Sequence, residues 1–160
     1  SEMLTSMTPL LADHRSQMGL DVRINLTLAA QLTGVDYVMA QRARTRVYDH
    51  FARVLEDVDA IATPTTGRTA PAILPDALAV GESDLESLSA LMRFVFPSNL
   101  TGHPAISVPA GYDGGGLPVG LQLIGRPWEE HRILQLAAAV EQGMERREPA
   151  VAVRLLAQGQ

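Results

Sequence analysis

Residues 105–140 read AISVPAGYDGGGLPVGLQLIGRPWEEHRILQLAAAV, and the hydrophobic period changes within this stretch. Ala105–Val108 is a short apolar run of the kind a buried strand needs. Asp113-Gly114-Gly115-Gly116 is turn chemistry. Leu117–Ile124 is a second apolar run, after which Pro127, Glu129 and Glu130 open a helix. Ile133, Leu134, Ala137, Val140 and Met144 mark the apolar stripe of that helix. Arg146 and Arg147 are placed to complement its C-terminal dipole. Two strands feeding a helix make an α/β unit. The glycine triplet precedes a strand rather than a helix N-terminus, so it is a connecting turn and not a phosphate loop.

Upstream, Asp59–Pro64 reads as another strand, ended by proline. Residues 65–82 are rich in Thr, Pro, Gly and Ala and predict a loop. A helix starting at Ser83 or Asp84 runs through Leu85, Leu88, Leu91, Met92 and Val95 and stops at Pro97. The clearest helix spans about residues 37–57, with Asp36 as N-cap. Its expected buried stripe is Ala40, Ala43, Val47, Phe51, Val54 and Val58, with Asp49 and Arg53 paired outside. Residues 3–33 read as interrupted helix, kinked at Pro9, broken at Gly19–Asp21 and closed by Gly34 as a C-cap. The division is therefore 1–58 helical, 59–146 α/β and 147–160 a tail of low signal. Three strands fall short of the usual four to six or so. Their apolar character suits a sheet covered on both faces. A chain that begins Ser1-Glu2-Met3 and carries so few strands is expected to be part of a larger fold.

Composition narrows the chemistry. The 160 residues carry a formal charge of −5 and fit one globular domain. Mild acidity argues against nucleic acid as a partner. Arg42, Arg44, Arg46 and Arg53 are interleaved with Asp49, Glu56 and Asp57, so they form a solvated helix face. The absence of cysteine removes disulfides, thiolate catalysis and cysteine-based zinc sites. His14, His50, His103 and His131 lack metal-ligand spacing, so no metal site is expected. His103, between Gly102 and Pro104, is the histidine best placed to line a cavity, although a structural role outweighs it. Neither Ser98 nor Ser107 sits in a nucleophile elbow. No secretory leader or membrane-length apolar run is evident, and a cytoplasmic or organelle-associated protein is expected. Membrane association stays open, since an anchoring element could lie upstream.

All 13 basic residues are arginine, and lysine does not occur. That bears on a resemblance. The runs NLTGHPAISVPAG at 99–111 and GLPVGLQLIGRP at 116–127, followed by an acidic pair and a helix, resemble the C-terminal region of amidase-signature hydrolases. DAIATPTT at 59–66 and DYVMAQRARTRVYDHF at 36–51 resemble the preceding strand and helix, so the likeness covers nearly the whole chain. TPTTGRTAPAI at 63–73, DALAVGE at 76–82, LMRFV at 91–95 and GRPWEE at 125–130 look most like the plant-type fatty acid amide hydrolases.

The resemblance implies the C-terminal portion of a mixed sheet flanked by helices. It also implies a cofactor-free reaction in which a serine, a cis-serine and a neutral lysine cleave an amide bond. Arginine cannot replace that lysine as proton acceptor, because guanidinium stays protonated. The sequence has no Gly-Gly-Ser-Ser-Gly-Gly run either, so no catalytic residue carries over. What carries over is scaffold: Asn99, Thr101 and His103 would border the substrate cleft. Met92, Phe94 and Phe96 would wall an acyl channel, against the plainer reading of all three as helix core. The expected partners are the missing N-terminal amidase portion or a homologous subunit, with a small amide as substrate. Two other readings stand beside this one: an amidase of another substrate class, and a truncated non-catalytic binding protein. The latter could dimerise through an unpaired sheet edge.

Overall fold

The computed structural model describes residues 2–80, 83–145 and 147. Three helices come first: α1 (Glu2–His14), α2 (Leu20–Ala29) and α3 (Gly34–Asp57), with a short 3₁₀ turn at Arg15–Gln17. Strand β1 (Ile61–Pro64) follows, then α4 (Ala77–Val80), α5 (Leu85–Met92) and α6 (Phe96–Thr101). Strands β2 (Ala105–Tyr112) and β3 (Pro118–Ile124) and helix α7 (Glu130–Gln142) complete the fold. The sheet order is β1-β3-β2, and both ladders are antiparallel.

Strand alternation explains the core. Val108 pairs with Leu121 and Ile106 with Leu123, which puts four apolar side chains on one face. Ile133, Ala137 and Val140 recur at helical spacing on α7 and pack against that face. Leu134, expected on the same stripe, is largely exposed instead. The opposite face carries Thr63, Gln122 and Ser107 in register. Buried Gln122 donates both amide protons, to Thr63 Oγ1 at 3.0 Å and to the Phe94 carbonyl at 2.8 Å. The 93–95 turn is thereby hung from the sheet. Beside it the Thr65 and Ser107 hydroxyls meet at 2.6 Å above Gly120. A Cβ on Gly120 would lie 2.6 Å from Thr65 Oγ1, so the close approach requires glycine.

Several boundaries differ from expectation, each for a physical reason. Strand β2 continues past Val108 to Tyr112, with a register shift between Pro109 and Gly111. As an outer strand it tolerates a proline that a central strand would not. Pro97 does not stop a helix running to Val95; α5 ends at Met92, and Pro97 sits in the first turn of α6, where its missing N–H is harmless. Gly34 is no C-cap, because α2 has already ended at Ala29 and Gly34 opens α3. Asp36 is the third residue of a capping box whose N-cap is Thr33. The stripe expected on α3 holds in part: Ala43, Val47 and Phe51 are half-buried, Ala40, Val54 and Val58 are exposed, and the fully buried residue is Leu55, which the stripe did not include. Arg53 reaches His50 Nδ1 at 2.7 Å, one turn back, instead of pairing with Asp49. Helix α7 ends at Gln142, short of Met144. Arg147 does not serve the dipole; its guanidinium lies 4.6 Å over the Tyr112 ring. Arg146 and the tail from 148 lie outside the described residues.

Candidate functional site

The site residues expected from sequence fall into two groups. Thr101 and His103 come together, 5% and 4% exposed, with Thr101 Oγ1 2.7 Å from His103 Nδ1. Gly102 between them has φ 78°, a left-handed conformation that closes α6 and turns the chain back on itself. Met92 and Phe94 are half-buried around the 93–95 turn. Phe96 is 55% exposed, and Asn99 is exposed on α6.

The His103 ring lies against two aromatic residues that the periodicity of α3 did not single out as a site. The Tyr48 ring centre lies 5.0 Å away and that of Phe51 5.5 Å away, both tilted. Beside them is a hollow of about 150 Å³, lined by Tyr48, Ala52, Leu55 and Glu56 of α3, His103, Arg126 and Pro127. A second hollow of about 200 Å³ is also lined by Tyr48, with Arg44, Thr45 and Thr101. Arg44 Nε donates to the Leu100 carbonyl at 2.6 Å and ties α3 to α6.

Arg126 makes the strongest join. It donates to the carbonyls of Leu55 at 2.6 Å and Val58 at 2.9 Å, which belong to the C-terminal end of α3. Those carbonyls have no partner within the helix, so a guanidinium is their natural cap. Its third arm meets Glu129 at 3.1 Å. Arg132 bridges Glu129 at 2.9 Å and Asp59 at 3.0 Å and closes the network. One sequence signal for this join existed: Arg126 stands in a run that is otherwise Gly, Pro and apolar. Gln122 carried a similar signal, as the polar residue inside an apolar strand.

Burial pushes the His103 imidazole below its ordinary 6.5 and holds it neutral. Its Nε2 is buried without a partner among the described residues, an arrangement that costs about 1–3 kcal/mol. The Thr101 hydroxyl also lies 2.8 Å from the Pro97 carbonyl oxygen. The one hydroxyl proton therefore serves either the Pro97 carbonyl or His103 Nδ1, and the direction of the contact follows the imidazole tautomer. Among the described residues no three His, Asp or Glu side chains cluster as metal ligands. Among them too, no helix is long and apolar enough to cross a membrane.

Comparison with known proteins completes the picture. A family model described as Amidase matches residues 4–134. The chain is 51% identical over 152 residues to a fatty acid amide hydrolase of Medicago truncatula, covering 93% of this chain and 25% of that protein. It is 48% identical over 143 residues to a fatty acid amide hydrolase of Arabidopsis thaliana, covering 89% and 24%. The crystal structure of an amidase superposes with a TM-score of 0.75 at 25% identity, over 89% of this chain and 32% of that one. The structure of a 6-aminohexanoate cyclic dimer hydrolase superposes with a TM-score of 0.55 at 30% identity, over 74% and 26%. The chain thus spans about a quarter of the length of its plant relatives. With a family match over most of its length and a three-strand sheet built as a portion of the amidase fold, this chain belongs to the amidase family.

Proposed function

We propose that this chain is the C-terminal segment of an amidase that hydrolyses carbon–nitrogen bonds of N-acyl amides, fatty acid amides in particular. The observation that carries the reading is the 51% identity to a plant fatty acid amide hydrolase across 93% of the chain. In this reading the segment supplies scaffold and cleft wall, while the nucleophile and base come from the remainder of the enzyme. The absence of lysine from all 160 residues supports that division. Met92, Phe94 and Phe96 are assigned to the acyl channel, positioned by the bond from Gln122 to the Phe94 carbonyl. Asn99, Thr101 and His103 are assigned to the border of the cleft. Neither a metal nor an organic cofactor has a role in the reaction so conceived.

The test has two arms. The 160-residue chain, incubated with a long-chain acyl amide and a serine-directed fluorophosphonate, is expected neither to hydrolyse nor to be labelled. Turnover or labelling by this chain alone would sink the assignment of the chemistry elsewhere. A longer protein carrying this segment is expected to cleave long-chain acyl amides faster than acetamide, and the reverse preference would refute the fatty acid assignment.

The open sheet favours a second reading. β1 and β2 are both outer strands, and Val35 on α3 is 73% exposed. A non-catalytic chain that pairs with a homologous subunit or a second copy would cover these groups. A monodisperse dimer or heteromer by light scattering supports it, and a stable monomer removes it.

A further inference from the structure

Residues 126–129 form a tight turn in which the Glu129 N–H donates to the Arg126 carbonyl at 3.1 Å. Pro127 takes its second position, and Trp128 takes the third with φ 67°. Proline cannot adopt a positive φ, so this is the form of a type II turn, whose third position favours glycine. Among the described residues Trp128 is the one non-glycine residue with positive φ. A bulky side chain there is strained. Both flanks hold the turn in place: Arg126 caps α3 through Leu55 and Val58, and Glu129 is paired with Arg126 and Arg132.

The strain brings no local burial, because the Trp128 side chain is 90% exposed. A lone exposed apolar residue is ordinary, but one kept in a backbone conformation that disfavours it is not explained by the local fold. Tryptophan combines a large apolar area with few rotors and is enriched among the residues that dominate interfaces. The charges beside the turn cancel, Arg126 and Arg132 against Glu129 and Asp59, and Glu130 is exposed, so no positive excess faces an anionic membrane. The family match runs to residue 134 and includes the turn, and this chain covers 32% of the amidase on which it superposes. The larger part of such a protein remains to cover the indole.

We propose that Trp128 is a docking anchor, held outward by the strained turn so that its indole enters an apolar pocket on the catalytic portion of the amidase. The inference rests on the reading of this chain as one segment of a longer amidase, and it names a residue that joins the two parts. Within the segment the strained turn lowers stability, and the contact made by the indole offsets that loss.

Hydroxyl-radical footprinting with peptide mass spectrometry reads Trp128 in the 160-residue chain and in a longer amidase that carries the same segment, and it needs no variant. Oxidation of Trp128 is expected to fall several-fold in the longer protein. Thermal midpoints give the second readout. In the 160-residue chain Trp128→Gly, which relieves the strain, should melt about 2–4 °C above Trp128→Ala, which keeps it. In the longer protein both variants should melt below the parent, because both lose the indole. Undiminished oxidation in the longer protein, variants that melt with its parent, or equal midpoints for the two variants of the short chain would each overturn the proposal. So would protection that grows with the concentration of the 160-residue chain, which would make a second copy the occupant, or protection by phosphatidylcholine–phosphatidylserine vesicles, which would make it a lipid surface. Hydrolysis is scored separately: a longer protein that protects Trp128 but prefers acetamide refutes the fatty acid assignment and leaves the anchor standing.

Discussion

The α/β half and the helical half of this chain have similar apolar patterning and use it differently. From Ile61 to Gln142 the chain closes a core of its own, in which Val108 and Leu123 of the sheet meet Ile133 and Ala137 of α7. In the helical half, α1 buries no residue, α2 buries Leu26 and α3 buries Leu55. Val35, Val38 and Met39 at the start of α3 face outward. What fastens α3 is a seam of polar and ring contacts: Arg44 on Leu100, His103 against Tyr48 and Phe51, and Arg126 on Leu55 and Val58. An amphipathic pattern fixes which face seeks cover, but not which molecule or segment provides it.

The largest effect is expected in the closed half. Ile133→Ala removes a side chain from under the sheet and should destabilise the fold by about 2–5 kcal/mol. Val38→Ala, on an exposed face, should stay within about 0.5 kcal/mol. Urea unfolding followed by circular dichroism compares the two; Trp128, 90% exposed, would be a poor reporter of core packing. Similar costs for both substitutions would erase the contrast between the halves.

The seam comes next. Arg126→Met removes two charge-assisted bonds to helix carbonyls and should cost about 1.5–3 kcal/mol. The loss should concentrate at the end of α3, read as faster amide exchange in its last turns while α7 stays protected. Arg126→Lys should restore little, because an ammonium lacks the fork that reaches Leu55, Val58 and Glu129 together. Full rescue by lysine would show that charge alone holds the seam.

These residues also show what the sequence made legible. Strand β3, the turn at Asp113 and the body of α7 were readable because local period and turn chemistry decide them. So was the start of α5: Asp84 caps it by accepting from the Ser87 N–H at 3.0 Å. The buried face of α3 was readable in part: Phe51 stood on the expected stripe and Leu55 did not. Its apolar residues spread around the helix, and the partners that select Leu55 and Phe51 are His103 and Arg126, dozens of residues away. Pro97 misled for a related reason: proline ends one helix and begins another with the same chemistry. Of the candidate site, the Thr101–His103 loop was visible as a tight glycine and proline segment. Tyr48 and Arg126 belong to it through tertiary contacts that no spacing rule encodes.

Acid probes the seam more gently. The folded His103 is held below its ordinary 6.5 by burial, so the unfolded chain binds a proton more readily there. The His103 contribution is thus constant above about pH 6.5, the unfolded value, and declines as pH falls from there toward the folded value. Glu56 and Arg126 share the hollow with the ring, and Arg44 lines the second hollow with Tyr48. Their opposite charges leave burial as the governing effect. Unfolding midpoints measured from pH 7.5 to 5.5 should fall more steeply for the parent chain than for His103→Phe. Parallel slopes would mean that the imidazole binds its proton as readily in the fold as in the unfolded chain.

The smallest expected effect separates propensity from packing in the open half. The N-terminus of α3 is held by a reciprocal box: Asp36 N–H donates to Thr33 Oγ1 at 3.2 Å, and Thr33 N–H donates to Asp36 Oδ2 at 2.8 Å. The Thr33 hydroxyl also donates to that carboxylate at 2.7 Å, the main reason its pKa lies below 3.8. Thr33→Ala should cost about 1 kcal/mol, the ordinary worth of a cap. Because α3 has little tertiary cover at this end, the loss should appear as fraying of its first two turns, with Arg126 still holding the far end. Amide exchange resolves the two ends. If the whole helix loosened together, α3 would be one cooperative unit anchored to the sheet, and the boundary between the closed and open halves would lie before Gly34 rather than along the seam.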